Sequence, residues 1–106
     1  MITTNQNKQI KNILKLKKSA RERRKQGLFL VEGIRMFEEI PEKLLYKAFV
    51  TEEFFQMHKE LFQQIEPEFV SEKIMKEISD TMTPQGVLAL VKMQKYELED
   101  LVKGNP

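Results

Sequence analysis

The 106-residue chain has no cysteine and no tryptophan, only one histidine, and four each of glycine and proline. Each scarcity closes a route to function. Without cysteine there is no disulfide framework, no thiolate zinc site and no cysteine nucleophile. One histidine, His58, excludes an HExxH motif, a Ser-His-Asp triad and any multi-histidine metal site. Gly27, Gly33, Gly86 and Gly104 lie too far apart for either GxGxxG or GxxxxGK[ST], so both common phosphate-cradling loops are missing. No apolar run approaches the ~20 residues of a membrane span, and no hydrophobic segment follows the polar, basic N-terminus as in a secretion signal. Neither a catalytic residue nor a metal ligand is expected. The chain reads as one cytoplasmic α/β domain, long enough to bury a core without covalent staples.

What the sequence does have is an uneven charge. The formal net charge of +2 is a cancellation. Residues 1–27 hold nine Lys/Arg against Glu22 alone, a net +8, and the remainder holds nine bases against fifteen acids, a net −6. Ile10, Ile13 and Leu14 recur at helical spacing behind Thr4, a candidate N-cap. Lys8, Lys11, Lys15 and Lys18 step by three and four along another face of that helix. Ser19-Ala20 interrupts it, Arg21, Arg23, Arg24 and Lys25 follow, and Gly27 supplies a C-cap. Solubilising helices usually interleave both signs. Eight uncompensated cations call for a polyanion, and a narrow apolar stripe without aromatics makes a poor membrane wedge. A nucleic acid is the better partner.

Beyond the arm, strands alternate with helices. Leu28–Val31 is a buried strand, followed by a helix through Ile34, Phe37 and Ile40 that Pro41 stops. A strand over Leu44–Val50 leads through Thr51, an N-cap, into one helix with Phe54, Phe55, His58, Leu61, Phe62 and Ile65 on its inner face. Glu68–Val70 is a brief strand, Ser71 caps a helix carrying Ile74, Met75 and Ile78, and the turn Asp80–Gly86 enters the strand Val87–Val91. Glu97–Lys103 has a helical pattern. This order predicts a layered α/β domain with a small, mostly parallel sheet. Leu28–Val31 and Val87–Val91, apolar without alternation, are expected at its centre. The phenylalanines fall mainly at helical spacing and read as core, and His58 reads as a packing residue. Glu32, at a strand-to-helix junction, reads as a cap or as the partner of an arginine in the arm. Thr81, Thr83 and Gln85, bracketing Pro84-Gly86, could serve the turn or a ligand.

Three blocks occur in order: Asn7-x-x-x-Lys11-x-x-x-x-Leu16 with the basic patch around Arg23, then Gly27-Leu28-Phe29-Leu30-Val31-Glu32-Gly33, then Asp80-Thr81-x-Thr83-Pro84-Gln85-Gly86-Val87-Leu88-Ala89. Together, over about residues 3–93, they resemble the N-terminal substrate-binding domain of SpoU-type (TrmH-like, SPOUT) RNA ribose 2′-O-methyltransferases. The resemblance implies a three-layer α/β/α sandwich like that of ribosomal proteins that bind kinked RNA, preceded here by the basic arm. It implies a domain that grips structured RNA, ribosomal or transfer, for a knotted C-terminal domain holding S-adenosylmethionine, through which the parent enzyme forms homodimers. The stretch in hand carries none of that second domain's motifs, so it is expected to be a fragment, monomeric or weakly dimeric, with no cofactor of its own. The expected division is an arm over 1–26, an RNA-binding core over 27–93 and the start of a linker over 94–106.

By this likeness Asn7, Lys11, Arg23, Thr83 and Gln85 are matched RNA-binding positions. The charge pattern adds Lys8, Lys15, Lys18, Arg21, Arg24 and Lys25, while Gly27, Glu32, Gly33, Pro84 and Gly86 serve the architecture. Two other functions remain open: a standalone structured-RNA binder of ribosomal type, although the junction Val31-Glu32-Gly33-Ile34-Arg35 lacks that class's Asn-Glu pair, and a protein-interaction module using its basic helix on an acidic partner.

Overall fold

A computed structural model describes residues 1–94; the predicted helix Glu97–Lys103 lies outside the described residues. In chain order the elements are α1 (Lys8–Lys18), α2 (Ala20–Gln26), β1 (Leu28–Glu32), α3 (Ile34–Glu38), β2 (Leu45–Val50), α4 (Glu52–Met57), β3 (Glu68–Phe69), α5 (Glu72–Ile78) and β4 (Val87–Lys92). Short 3₁₀ turns cover Glu42–Leu44 and Lys59–Phe62. None of these helices is long and apolar enough to cross a membrane.

The four strands form one sheet in the order β1-β4-β2-β3. β4 runs antiparallel to both β1 and β2, β2 and β3 pair in parallel, and Ile2 makes an isolated parallel bridge to Val70. The sheet is therefore mixed rather than mostly parallel, and β1 is an edge strand rather than a central one. The reason lies in the path after β3. α5 ends at Ser79, beside Glu32 at the C-terminal end of β1, so the chain re-enters the sheet from the end where β1 and β2 finish. Entry from that end makes β4 antiparallel. The apolar run of β1 reflects helices covering both of its faces, which period-two composition reports; its free edge is a matter of hydrogen bonds, which composition does not report.

Alternate strand residues feed two cores. Leu28, Leu30, Phe49, Leu88 and Leu90 face Ile10, Ile13 and Leu16 of α1 and Ile74, Met75 and Ile78 of α5. Val31, Ala48, Val50, Val87, Ala89 and Val91 face Phe37, Phe54 and Phe62 on the other side. The three-layer α/β/α arrangement is thus present. The basic arm supplies one of its layers, since Ile10, Ile13 and Leu16 are wholly buried. At about 1.5–3 kcal/mol for each buried aliphatic side chain, α1 is held on by several kcal/mol of apolar burial. Leu16 sits deeper than Leu14, which only flanks the cluster.

Local chemistry sets the element ends. Asn7, not Thr4, caps α1: its Oδ1 accepts from the backbone N–H groups of Gln9 at 2.8 Å and Ile10 at 3.4 Å. Thr51 and Ser71 cap α4 and α5 as expected. Gly27 ends α2 at φ 67°, a left-handed conformation natural to glycine. The long helix predicted from Phe54 to Ile65 instead breaks at His58 (φ −136°, ψ 42°), and a 3₁₀ turn carries Phe62 back into the core. The His58 ring lies 4.4 Å from that of Phe54, with Nδ1 3.7 Å from Glu60, a packing position. Phe37, Phe54, Phe55 and Phe69 all have ring partners in this layer, three of them against or beside Phe62, so they form core rather than an exposed stacking surface.

Gly86, at φ 112°, permits the close approach of the β4 entry to α4. A Cβ there would stand 2.7 Å from Thr51 Oγ1 and 2.9 Å from Phe54 Cβ. Gly86→Ala combines backbone strain with overpacking and is expected to destabilise the fold by about 2–4 kcal/mol. Urea denaturation checks this: the midpoint falls while the slope stays the same.

Candidate nucleic-acid interface

The cations of the arm are displayed on two helices folded against each other. Ser19 ends α1 and, through Oγ accepting from Glu22 N–H at 3.1 Å, starts α2. The amides of Asn12 and Gln26 exchange hydrogen bonds at 3.0 and 2.8 Å, which lays α2 back along α1. Lys8, Lys11, Lys15 and Lys18 on α1 are exposed, as are Arg21, Arg24 and Lys25 on α2. Among the described residues none of these seven is in an ion pair within 4.0 Å. Their common acid, Glu22, accepts from Gln26 Nε2 at 3.1 Å. That bond first, and then the positive field of Lys15, Lys25 and Arg21, holds its carboxyl below the usual carboxylate value.

Two cations of the arm turn inward. Arg23 donates through Nη1 to the carbonyls of Leu16 at 2.6 Å and Lys17 at 3.3 Å, satisfying the orphan acceptors at the end of α1. Lys17, whose side chain is only 18% exposed, donates to Ser79 O at 3.2 Å and pairs with Asp80 at 3.0 Å. Lys17 is counted in the charge of the arm but falls outside the three-and-four row of Lys8, Lys11, Lys15 and Lys18.

Those contacts bring the arm to the second feature, the segment Ser79–Gly86. Glu32 does not pair with an arginine. Its Oε2 accepts from Ser79 Oγ and its Oε1 from Asp80 N–H at 3.0 Å. At the far end Gln85 Oε1 accepts from Ile34 N–H at 2.7 Å, starting α3, and the backbones of Gly86 and Val87 accept from Thr51 and Gly33. Within the loop, Thr81 N–H donates to Ser79 Oγ and Thr83 N–H to Thr81 Oγ1. The loop is thus anchored at both ends, while Thr81, Met82 and Thr83 project into solvent. It stands at the C-terminal ends of β1 and β2, the edge of an α/β sheet where ligands commonly bind.

Of the residues matched by resemblance, Lys11, Thr83 and Gln85 are exposed, although Gln85 uses its Oε1 on α3; Asn7 and Arg23 are half-buried and spend their side chains on α1. Pro84 is half-buried in the loop. The opposite helical layer is acidic. Glu38, Glu42 and Glu60 line a groove of about 380 Å³ together with Phe37, Ile40 and Leu45, a surface that repels phosphate. The described residues contain no group of three or more His, Asp or Glu able to hold a metal ion.

Comparison with known proteins agrees with this geometry. Residues 7–89 match the family described as the MRM3-like substrate binding domain. Among solved structures, the crystal structure of an RNA 2′-O ribose methyltransferase matches with a TM-score of 0.72 and 29% identity, over 89% of this chain and 38% of that one. The chain thus spans well under half the length of that protein. No individual curated protein matches it.

The inward arginine is separable from the outward ones. Arg23→Ala is expected to lower stability by about 1–3 kcal/mol, as for a lost charged hydrogen bond, and Arg24→Ala to change it by less than about 0.5 kcal/mol. Thermal and urea unfolding of the two variants checks this.

Proposed function

The chain belongs to the MRM3-like substrate-binding domain family, and on that footing we propose that it is the RNA-gripping part of an S-adenosylmethionine-dependent RNA ribose 2′-O-methyltransferase. The observation that carries the reading is the row of exposed cations on α1 and α2, in no ion pair among the described residues, which meets the anchored Ser79–Gly86 loop at the Lys17–Asp80 contact. Phosphate contacts from such a row are independent of base sequence and set affinity and orientation. The loop adds contacts that depend on RNA shape. The substrate in this reading is a structured ribosomal or transfer RNA in the cytoplasm, lying across the α1/α2 layer and away from the glutamate-lined groove.

In this reading residues 1–94 do not themselves hold S-adenosylmethionine. The hollow left by Gly33 is closed by Gln85, and that of Gly86 by Thr51 and Phe54, so neither glycine leaves a cradle for a ligand. Binding of the methyl donor and methyl transfer are assigned to a catalytic domain outside residues 1–94, and dimerisation of the enzyme to the same part. Within the enzyme, this domain raises the local concentration of RNA and fixes its orientation, which contributes to rate through positioning.

A salt titration of binding to a structured rRNA or tRNA fragment tests the reading. Affinity should fall steeply between about 50 and 200 mM salt. Lys11→Ala and Lys15→Ala should each reduce the slope of log K against log salt by about 1 and weaken all RNAs alike. Undetectable binding at low salt, or unchanged slopes in both variants, would sink the proposal. RNA-independent capture of one acidic protein would favour the protein-interaction alternative.

A further inference from the structure

Asp80 is out of place on a phosphate-binding surface. It is an acid that meets the basic arm at the C-terminal end of α1, and its side chain is 84% exposed. An unconstrained carboxylate there would only repel RNA. Asp80 is instead held on two sides. Its backbone N–H donates to Glu32 and one carboxylate oxygen, Oδ1, pairs with Lys17. Lys17 is itself fixed by donating to the Ser79 carbonyl. Lys17 offsets only one of the two carboxylates gathered here, Asp80 and Glu32, so the spot suits a neutral ligand that brings hydrogen-bond donors better than a phosphate.

The three residues that follow Asp80 in the loop offer what a base requires. Thr81 and Thr83 are exposed, and Met82, at 93% exposure, presents a polarizable apolar surface of the kind that packs on aromatic rings. A carboxylate is acceptor-only, with two oxygens that can take a pair of donors side by side. Guanine, with N1–H beside the N2 amine, is the base whose Watson–Crick edge offers adjacent donors. Adenine and cytosine place an acceptor next to their amine, and uracil flanks its single N–H with two carbonyls. A base whose Watson–Crick edge is free must be unpaired, as in the loops and bulges by which proteins read RNA sequence.

We propose that Asp80 is a specificity-determining residue that accepts hydrogen bonds from the Watson–Crick edge of an unpaired guanine, with Lys17 and Glu32 as its positioning residues and Met82 packed on the base. This rests on the RNA-binding reading above and adds to it a preference among RNAs. The arm holds phosphates whatever the sequence, and the loop discriminates. The guanine bound here is a recognition nucleotide, distinct in role from the ribose that is methylated.

The test uses the full chain and a set of RNA hairpins identical except for one unpaired nucleotide, which is guanine, inosine, adenine or uracil. Inosine removes only the N2 amine. The wild type is expected to prefer guanine to inosine by about tenfold, as for a base-edge hydrogen-bond contact. Asp80→Ala should bring the four hairpins within about twofold of one another with the salt slope unchanged. Asp80→Asn, which pairs a donor with an acceptor and keeps the side-chain shape, should move the preference towards adenine. Equal affinity of the wild type for all four hairpins, with Lys11→Ala still lowering the slope, overturns the role of Asp80 and leaves the RNA-binding reading standing. A uniform rise in affinity in Asp80→Ala also overturns it, since Asp80 would then act only by repulsion. Absence of binding to every hairpin at low salt overturns both readings.

Discussion

The Glu32 carboxylate ties the end of β1 to a segment 47 residues further along the chain. With one oxygen on the Ser79 hydroxyl and the other on the Asp80 backbone, it fixes where α5 ends and so where β4 enters the sheet. β4 then runs between β1 and β2, antiparallel to both, and contributes five consecutive buried residues to the two cores. The exposed loop, the pairing of Lys17 and the start of α3 under Gln85 all depend on that entry point. Hydrogen bonds to an ionised acceptor are roughly twice as strong as neutral ones, which suits a carboxylate to this duty.

Charge separation gives the molecule two unlike sides. The helices α1 and α2 display seven cations, and the groove between α3 and the 3₁₀ turn at Lys59–Phe62 has glutamates in its lining. Because the apolar side of α1 is a structural layer, the cations are mounted on a rigid element rather than on a flexible tail. A rigid array loses little conformational entropy when it meets a phosphate backbone. The same packing diverts Arg23 and Lys17 from solvent to the ends of α1 and α5, where they join the basic surface to the core.

Much of this was legible in the sequence because it depends on local rules. Helix-period lysines, the capping residues Thr51, Ser71 and Gly27, and the unbroken apolar run Val87–Val91 each report their own surroundings. So do the two motif blocks ending in Glu32-Gly33 and Gln85-Gly86, whose resemblance to an RNA methyltransferase domain agrees with the family and structural matches. Asn7 displacing Thr4 as a cap, and the break at His58, were not legible: several residues can serve locally, and the choice is made by where Ile10 and Phe62 must sit in the core.

By itself the sequence determined the α/β class, the division of charge and the identity of the exposed lysines, since composition and periodicity act over a few residues. Only the tertiary structure decided the direction of β4, the edge position of β1, and which polar side chains are engaged by a distant element. Arg23 and Gln85 look as available for RNA as Lys11 until the elements pack, and then each satisfies a backbone group at the end of another helix, as Asn7 does within its own. Strand direction and side-chain partnering are set by contacts between residues distant in the chain. Lys17 meets Asp80 across 63 positions, and no local pattern encodes that meeting.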